Sequence, residues 1–426
     1  MGTDTPLVTP FVGERYADPG ALSRLLAPPY DVISAEERRR FAALDPHNIV
    51  HLILPEAASG ANRYLAAADQ LAAWRAAGVF ATDSAPAVYV VAQTFATPGG
   101  ERRTRVGVFA AVAAEPYEQR RVLPHEKTHR GPKLDRLELL RATRTNLESI
   151  FLLAPDGDGS VAAGLRAISG GGGEEEEGRQ PDARAELDGV EIRLWRVGSP
   201  DAERLTASLS AAPLYIADGH HRYETAVAYA TENRAAQRLL GFVVSARDAG
   251  LVVLPTHRVV YGTGRDVTTL EPGWRRYFEV TPVPAGADRV AVLAEAGRDR
   301  TAALVAIAGG ERDRLLVLRP DAPLAAMPEL GRTAAVRALD VVIVERLIVQ
   351  EILAAGKSTP TLTYTPDPVA ALKLAHAGKA LAAVLLNPTK VEQVFAVADA
   401  GDVMPPKSTY FIPKVPSGLV LRRVEG

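Results

Sequence analysis

Between residues 61 and 78 the apolar positions Leu65, Ala68, Leu71 and Trp74 return every three residues, which predicts a helix, and Gly78 stands where it would stop. The period then changes. Residues 87–95 (AVYVVAQTF) and 103–112 (RTRVGVFAAV) are rich in β-branched side chains and flank Pro98-Gly99-Gly100, so they predict a hairpin. FLLA at 151–154 and EIRLWRV at 191–197 read as strands. Between them SGGGGEEEEG at 169–178 has no apolar period and reads as a flexible, solvated surface insertion. From 211 the pattern runs strand (LYIA), turn (DGHHR), then a helix through YETAVAYATENRAAQRLLG that Gly241 closes, with FVVSA and LVVLP as buried strands beyond it. A helix is expected over 332–354. Asp367-Pro368 is a cap followed by an N1 proline for a helix through His376; AAVLLN is a strand, and KVEQVFAVADAG a helix stopped by Gly401.

Strands alternating with helices argue for an α/β or mixed α+β layered fold rather than a bundle or a sandwich. At 426 residues the chain is longer than an ordinary domain. Three regions are expected: an N-terminal α/β region over 1–100, a core over 101–265 carrying a Gly/Glu insertion at 169–189, and a C-terminal α/β region over 266–426.

Composition narrows the chemistry. With 47% hydrophobic and 23% charged residues the chain is globular rather than disordered. A net charge of −2, from 49 basic and 51 acidic residues, gives no global footprint for nucleic acid, which is not expected as a partner. Cysteine is absent, which excludes disulfides, thiolate catalysis and cysteine metal sites and leaves histidine and carboxylate chemistry. The first residues, MGTDTPLVTPF, carry no export pattern, and the densest apolar stretch, Val341–Val344, is cut short by Glu345 and Arg346. A cytoplasmic protein without a membrane partner is expected. Oligomeric state is not legible.

The turn Asp218-Gly219-His220-His221-Arg222 concentrates the chemically able residues. A strand running into a helix sets backbone N–H groups and the positive end of the helix dipole at one spot, where anions collect. Gly219 allows close backbone approach, Arg222 offers a forked donor, and His220 and His221 exchange protons. Asp218 can hold Mg²⁺ or accept a hydroxyl proton; the plainer alternative makes it a simple helix cap.

YIADGHHRYETA at 215–226 resembles the phosphate-binding turn of the ParB/sulfiredoxin-like superfamily, most closely the version in free-serine kinases. In sulfiredoxins this turn reads Gly-Gly-Cys-His-Arg, and the reactive cysteine falls on His220, so sulfinic-acid repair is excluded. APPYDVIS at 27–34, HEKT at 125–128, DGHHR, LPTHR at 254–258, LLNPTKVEQV at 385–394 and MPPKSTYF at 404–411 resemble, over nearly the whole chain, the DUF1015 family, a family of unknown function. The resemblance implies a ParB/sulfiredoxin-like core and a nucleotide-dependent phosphotransferase acting on a small hydroxyl substrate, with ATP or ADP and Mg²⁺. In it Gly219, His220, His221 and Arg222 bind phosphates, while Asp218 and His221 act in catalysis, Asp218 also as the metal ligand. Glu126, from the HEKT segment, would assist. A phosphoserine-type phosphatase and a non-enzymatic ParB-like nucleotide-binding protein are the alternatives.

Other patterns compete. His125-Glu126-Lys127-Thr128-His129 spells HExxH, with Glu148 at a plausible spacing for a third zinc ligand, but Pro124, Gly131 and Pro132 spoil the helix a zinc hydrolase needs. Gly356-Lys357-Ser358-Thr359 and Lys407-Ser408-Thr409 imitate a P-loop without its context; Lys407 and Ser408 stay as phosphate-binding candidates. Tyr30, Asp31, Asn48, His51 and His125 are substrate candidates, with Pro28-Pro29-Tyr30-Asp31 otherwise a rigid turn capping the following helix. His257 and His376 read as structural.

Overall fold

The computed structural model describes residues 5–425 apart from 129, 171–178, 263–265, 325–326, 328–329 and 356–359. Its contacts gather into two units: Met1–Pro124, Thr128–Leu251 and Pro413–Gly426 form the first, His125–Lys127 and Val252–Ile412 the second. The expected boundary at 100/101 is not where the chain divides. The hairpin across Gly100 pairs Val88–Ala96 with Arg102–Ala113 residue by residue, which locks both sides into one sheet.

The first unit is built on a nine-stranded mixed sheet. In chain order its strands are β1 (Val8–Thr9), β2 (Val88–Ala96), β3 (Arg102–Ala113), β4 (Val122–Leu123), β5 (Ile150–Ala154), β6 (Ala183–Leu187), β7 (Val190–Val197), β8 (Leu214–Asp218) and β9 (Arg238–Ser245). They lie in the order β4-β8-β5-β9-β3-β2-β7-β6, with β1 on β3. β8 runs parallel to β4 and antiparallel to β5, and β9 parallel to β5, so the fold is mixed α/β. One face buries Val90, Val108, Ile150, Leu152 and Val243 against helices α2 (Ser160–Ser169), α3 (Asp201–Ser210) and α4 (His220–Glu232), an apolar burial that drives the layer. The rings of Phe109 and Phe151 pack on Phe242 at 4.9 and 5.9 Å. A small four-stranded sheet joins Phe80–Thr82, Gly13–Tyr16, Leu421–Arg423 and Thr145–Asn146, so the last strand of the chain lies between early ones.

The helix after the turn is shorter than its pattern. It ends at Glu232, and Gly241 lies inside β9 opposite Ala110, where a Cβ would come within 2.5 Å of Val112 Cγ2. Gly241 is thus a close-packing glycine, not a helix stop. The expected Gly/Glu insertion lies, over 171–178, outside the described residues.

The second unit holds a six-stranded antiparallel sheet in the order Phe278–Pro282, Arg314–Leu318, Ala302–Ala306, Ala382–Leu386, His257–Tyr261, Thr361–Thr365. Two apolar clusters flank it, one around Trp274, Val344 and Ile348, the other around Leu293, Ala371 and Ala375. Asp367 caps Pro368–His376, accepting from the amides of Val369 and Ala370. The helix expected over 332–354 is divided: Leu339 takes an extended backbone between Ala334–Arg337 and Asp340–Val344, and Glu345–Val349 forms a π turn before Gln350–Ala354. Among the described residues no helix is long and apolar enough to cross a membrane.

Candidate functional site

β8 delivers the turn. Its register against β5 shifts between Ile216 and Asp218, and Gly219 then takes φ 91° and ψ 29°, left-handed backbone that an L side chain adopts only at a cost. This reverses the chain so that α4 starts at His220 with no side chain capping it. Tyr223 anchors the first turn: it is buried, and its hydroxyl donates to the Glu115 carbonyl at 2.7 Å. The Arg222 guanidinium donates through Nη1 to the Ser149 carbonyl, tying the turn to the start of β5.

Charges converge on this point. The Lys414 ammonium lies 3.0 Å from Asp218 Oδ2, and Asp218 Oδ1 accepts from the Gly219 amide at 2.9 Å. Burial raises the Asp218 carboxyl, but Lys414, Arg222 and His220 outweigh it and hold the group well below the usual carboxylate range. Behind Lys414, Gln93 Nε2 donates to its carbonyl at 3.1 Å, and Gln93 Oε1 accepts from fully buried Arg105 at 2.5 Å. Burial pulls Arg105 down to about 9, while Asp248 and Asp218 work the other way. Arg222 is opposed by burial as well, yet Glu148, Asp31 and Asp218 raise it.

Glu148 is the hub on the other side of Arg222. It accepts from the Tyr30 amide at 2.9 Å and from Arg136 Nη1 at 3.4 Å, and Arg136 lies over the Tyr30 ring at 4.1 Å. Burial pushes the Tyr30 phenol up to about 12, so it stays a hydrogen-bond donor through the neutral range. A small cavity of about 50 Å³ adjoins this cluster, lined by Arg136, Glu148, Arg222 and apolar residues such as Leu139 and Leu147. Tyr30, Asp31, Asp218, Gly219, His220, His221 and Arg222, all candidates from the sequence, therefore belong to the first unit, Tyr30 and Asp31 linked to Arg222 through Glu148 or charge.

Other candidates serve different ends. Asn48 is fully buried; its amide donates to the carbonyls of Arg24 and Leu26 and its Oδ1 accepts from Val50, so its polar atoms are committed to a loop. His51 stands edge-on to Trp74, 6.5 Å between ring centres. His125, Glu126, Lys407 and Ser408 belong to the second unit. There His125 Nε2 is 3.2 Å from Thr409 Oγ1, and Glu126 forms a β-bridge with Met404. Residues 125–128 are not helical, so the HExxH spacing does not set its groups on one helical face; His129 lies outside the described residues. Lys407 takes φ 60°, and the buried Ser408 hydroxyl donates to the Pro405 carbonyl at 2.6 Å. The segment 356–359 lies outside the described residues. Among the described residues no group of three or more His, Asp or Glu side chains is arranged to hold a metal ion.

Lys414 and Arg136 were not singled out from sequence, and Glu148 only as a zinc ligand. Lys414 gives no local signal, since its partner is 196 residues away. Arg136 does give one: on the helix Arg130–Thr143 it shares a face with Leu139 and Leu140, and an arginine on an apolar stripe needs a buried partner.

Fold and turn together define a mixed α/β protein whose strand, left-handed glycine and helix start are ringed by paired charges. A family model described as "Protein of unknown function (DUF1015)" matches residues 8–342, and the chain belongs to that family. No curated protein matches it. Among solved structures it is similar to a conserved hypothetical protein from Pyrococcus furiosus (15% identity, 73% of this chain and 93% of that chain, TM-score 0.36). It is also similar to a free serine kinase variant in complex with ADP (13%, 72% and 87%, TM-score 0.38) and to C-terminally truncated SbnI from Staphylococcus aureus (10%, 72% and 85%, TM-score 0.36). These likenesses are distant.

Proposed function

We propose that the first unit is a nucleotide-dependent phosphotransferase acting on a small hydroxyl metabolite. One observation carries this reading: two cations, Arg222 and Lys414, meet an ionised Asp218 at a helix start that no side chain caps. The resemblance of the DGHHR turn to that of free-serine kinases supports it. Phosphoryl transfer asks chiefly for positioning and for positive charge around the transferring group.

In this scheme amides of the turn and Arg222 hold the phosphates of ATP or ADP. Lys414 moves from Asp218 to the incoming phosphate, and Asp218, relieved of that cation, becomes the stronger base. The substrate hydroxyl gives its proton to Asp218 while its oxygen bonds to the terminal phosphorus, and the bond from phosphorus to the nucleotide oxygen breaks. His221 would relay the proton. Mg²⁺ favours one or two carboxylates together with substrate phosphates, and Asp218 with exposed Asp31 are the acids that fit it; it would neutralise phosphate charge.

Purified protein incubated with ATP or ADP and a panel of hydroxyl metabolites, serine first, should yield a phosphorylated product by mass spectrometry. Asp218→Ala should lower its rate by about 10²–10⁴-fold. No product together with no nucleotide binding by calorimetry rejects the proposal.

A further inference from the structure

The second unit holds a cavity of about 630 Å³ lined by Leu270, Trp274, Arg276, Tyr277, Arg346 and Leu347, with exposed Gln350 and Glu351 completing it. That volume is in the usual range for small-molecule pockets, roughly 300–1,000 Å³. Its floor is apolar and its rim is charged. Trp274 is 2% exposed and Leu347 6%, whereas Arg276 and Arg346 reach solvent.

Three features point to a ligand. The Trp274 indole Nε1–H has no acceptor among the described residues, although buried tryptophans ordinarily find one. Trp195, for comparison, donates to the Arg179 carbonyl at 2.6 Å. Secondly, neither Arg276 nor Arg346 has a carboxylate partner among the described residues, and the Arg276 guanidinium stands 5.6 Å from the Tyr277 ring centre. With Glu351 the described lining residues carry a net charge of +1, two guanidiniums against one carboxylate. Thirdly, Arg346 and Leu347 reach the cavity from the π turn Glu345–Val349, set between helical segments; such turns are rare and gather at functional sites.

We infer that this cavity binds a small planar organic anion, an aromatic carboxylate whose ring lies against Trp274, Tyr277 and Leu347. An acceptor atom of the ligand takes the Trp274 N–H, and its charge meets Arg276 and Arg346. The cavity shares no residue with the Asp218 turn, so the inference does not rest on the proposed phosphotransfer.

The test follows the indole N–H signals of the full chain by NMR. Trp74, Trp195 and Trp274 give three, and Trp274→Phe assigns the last; should that variant not fold, Trp74→Phe and Trp195→Phe assign it by elimination. Titration with benzoate, nicotinate and indole-3-carboxylate, each beside its neutral amide, should move the Trp274 signal saturably with at least one carboxylate while the Trp195 signal stays. Affinity should be weaker by about tenfold for the amide, and by about tenfold when exposed Arg276 and Arg346 are both replaced by Gln, since a charged hydrogen bond contributes that much. The inference is overturned if no carboxylate moves Trp274 at millimolar concentration, if amides bind as well, or if the double Gln variant keeps its affinity.

Discussion

Lys414 decides how Asp218 behaves. The Asp218 carboxyl is depressed in the folded state, so its contribution to stability is present above the unfolded pKa near 4 and is lost as pH falls through the folded value. Removing the ammonium in Lys414→Met should cost roughly 1–3 kcal/mol at pH 7, since both partners are mostly buried, and should flatten the loss on the acid side of pH 4. Denaturant melts of both proteins at pH 7 and pH 3 check this; parallel profiles would count against the pair. His257 acts in the same direction, over a higher range of pH. Burial and Arg258 lower its imidazole to about 4, against Asp367, and its Nδ1 accepts from the Leu386 amide at 3.3 Å, so it folds neutral. The unfolded chain binds the proton first, and stability should fall as pH drops from 6.5 to about 4, by about 3 kcal/mol at roughly 1.4 kcal/mol per unit. In His257→Leu that slope should vanish, as melts across this range will register.

At the scale of the element, the strand, Gly219 and α4 act as one device. Gly219→Ala would force a side chain into φ 91° and place a Cβ 3.1 Å from the Arg222 guanidinium. Strain of about 1–2 kcal/mol is expected, and with Arg222 displaced, ADP should bind at least several-fold more weakly in calorimetry. Unchanged stability and affinity would mean the left-handed turn is incidental. This element was legible in the sequence because its signals are local: apolar LYIA, one glycine, then a polar first turn. The 87–112 hairpin and the Asp367 cap were legible for the same reason. Local signals fail where tertiary pairing arbitrates. RLLG at 238–241 continues a helical pattern well, yet pairing with Ala110–Ala113 makes it a strand, and nothing nearby announces the extended backbone at Leu339.

For the whole molecule, the polar and charged groups around Asp218 come from segments far apart: Tyr30, Gln93, Arg136, Glu148, Arg222 and Lys414. Spacing along a chain says nothing of such a gathering, so the turn, Tyr30 and Asp31 could be named beforehand but their meeting with Gln93, Arg136 and Lys414 could not. The final segment also supplies structure. Leu421–Arg423 pairs with Gly13–Glu14 and Asn146–Thr145, and Arg423 bonds Glu14 at 2.9 Å. A chain ending at Ile412 should therefore lose the first unit while the antiparallel sheet of 252–412 persists; limited proteolysis should leave a resistant fragment inside that range. Equal resistance of 1–251 would contradict this. Because the second unit interrupts the first in sequence, the ribosome releases Asp218 long before Lys414. A growing polypeptide thus holds its aspartate without the lysine until 196 further residues have been added, and the charge arrangement described for the turn can arise only after the whole second unit has been made.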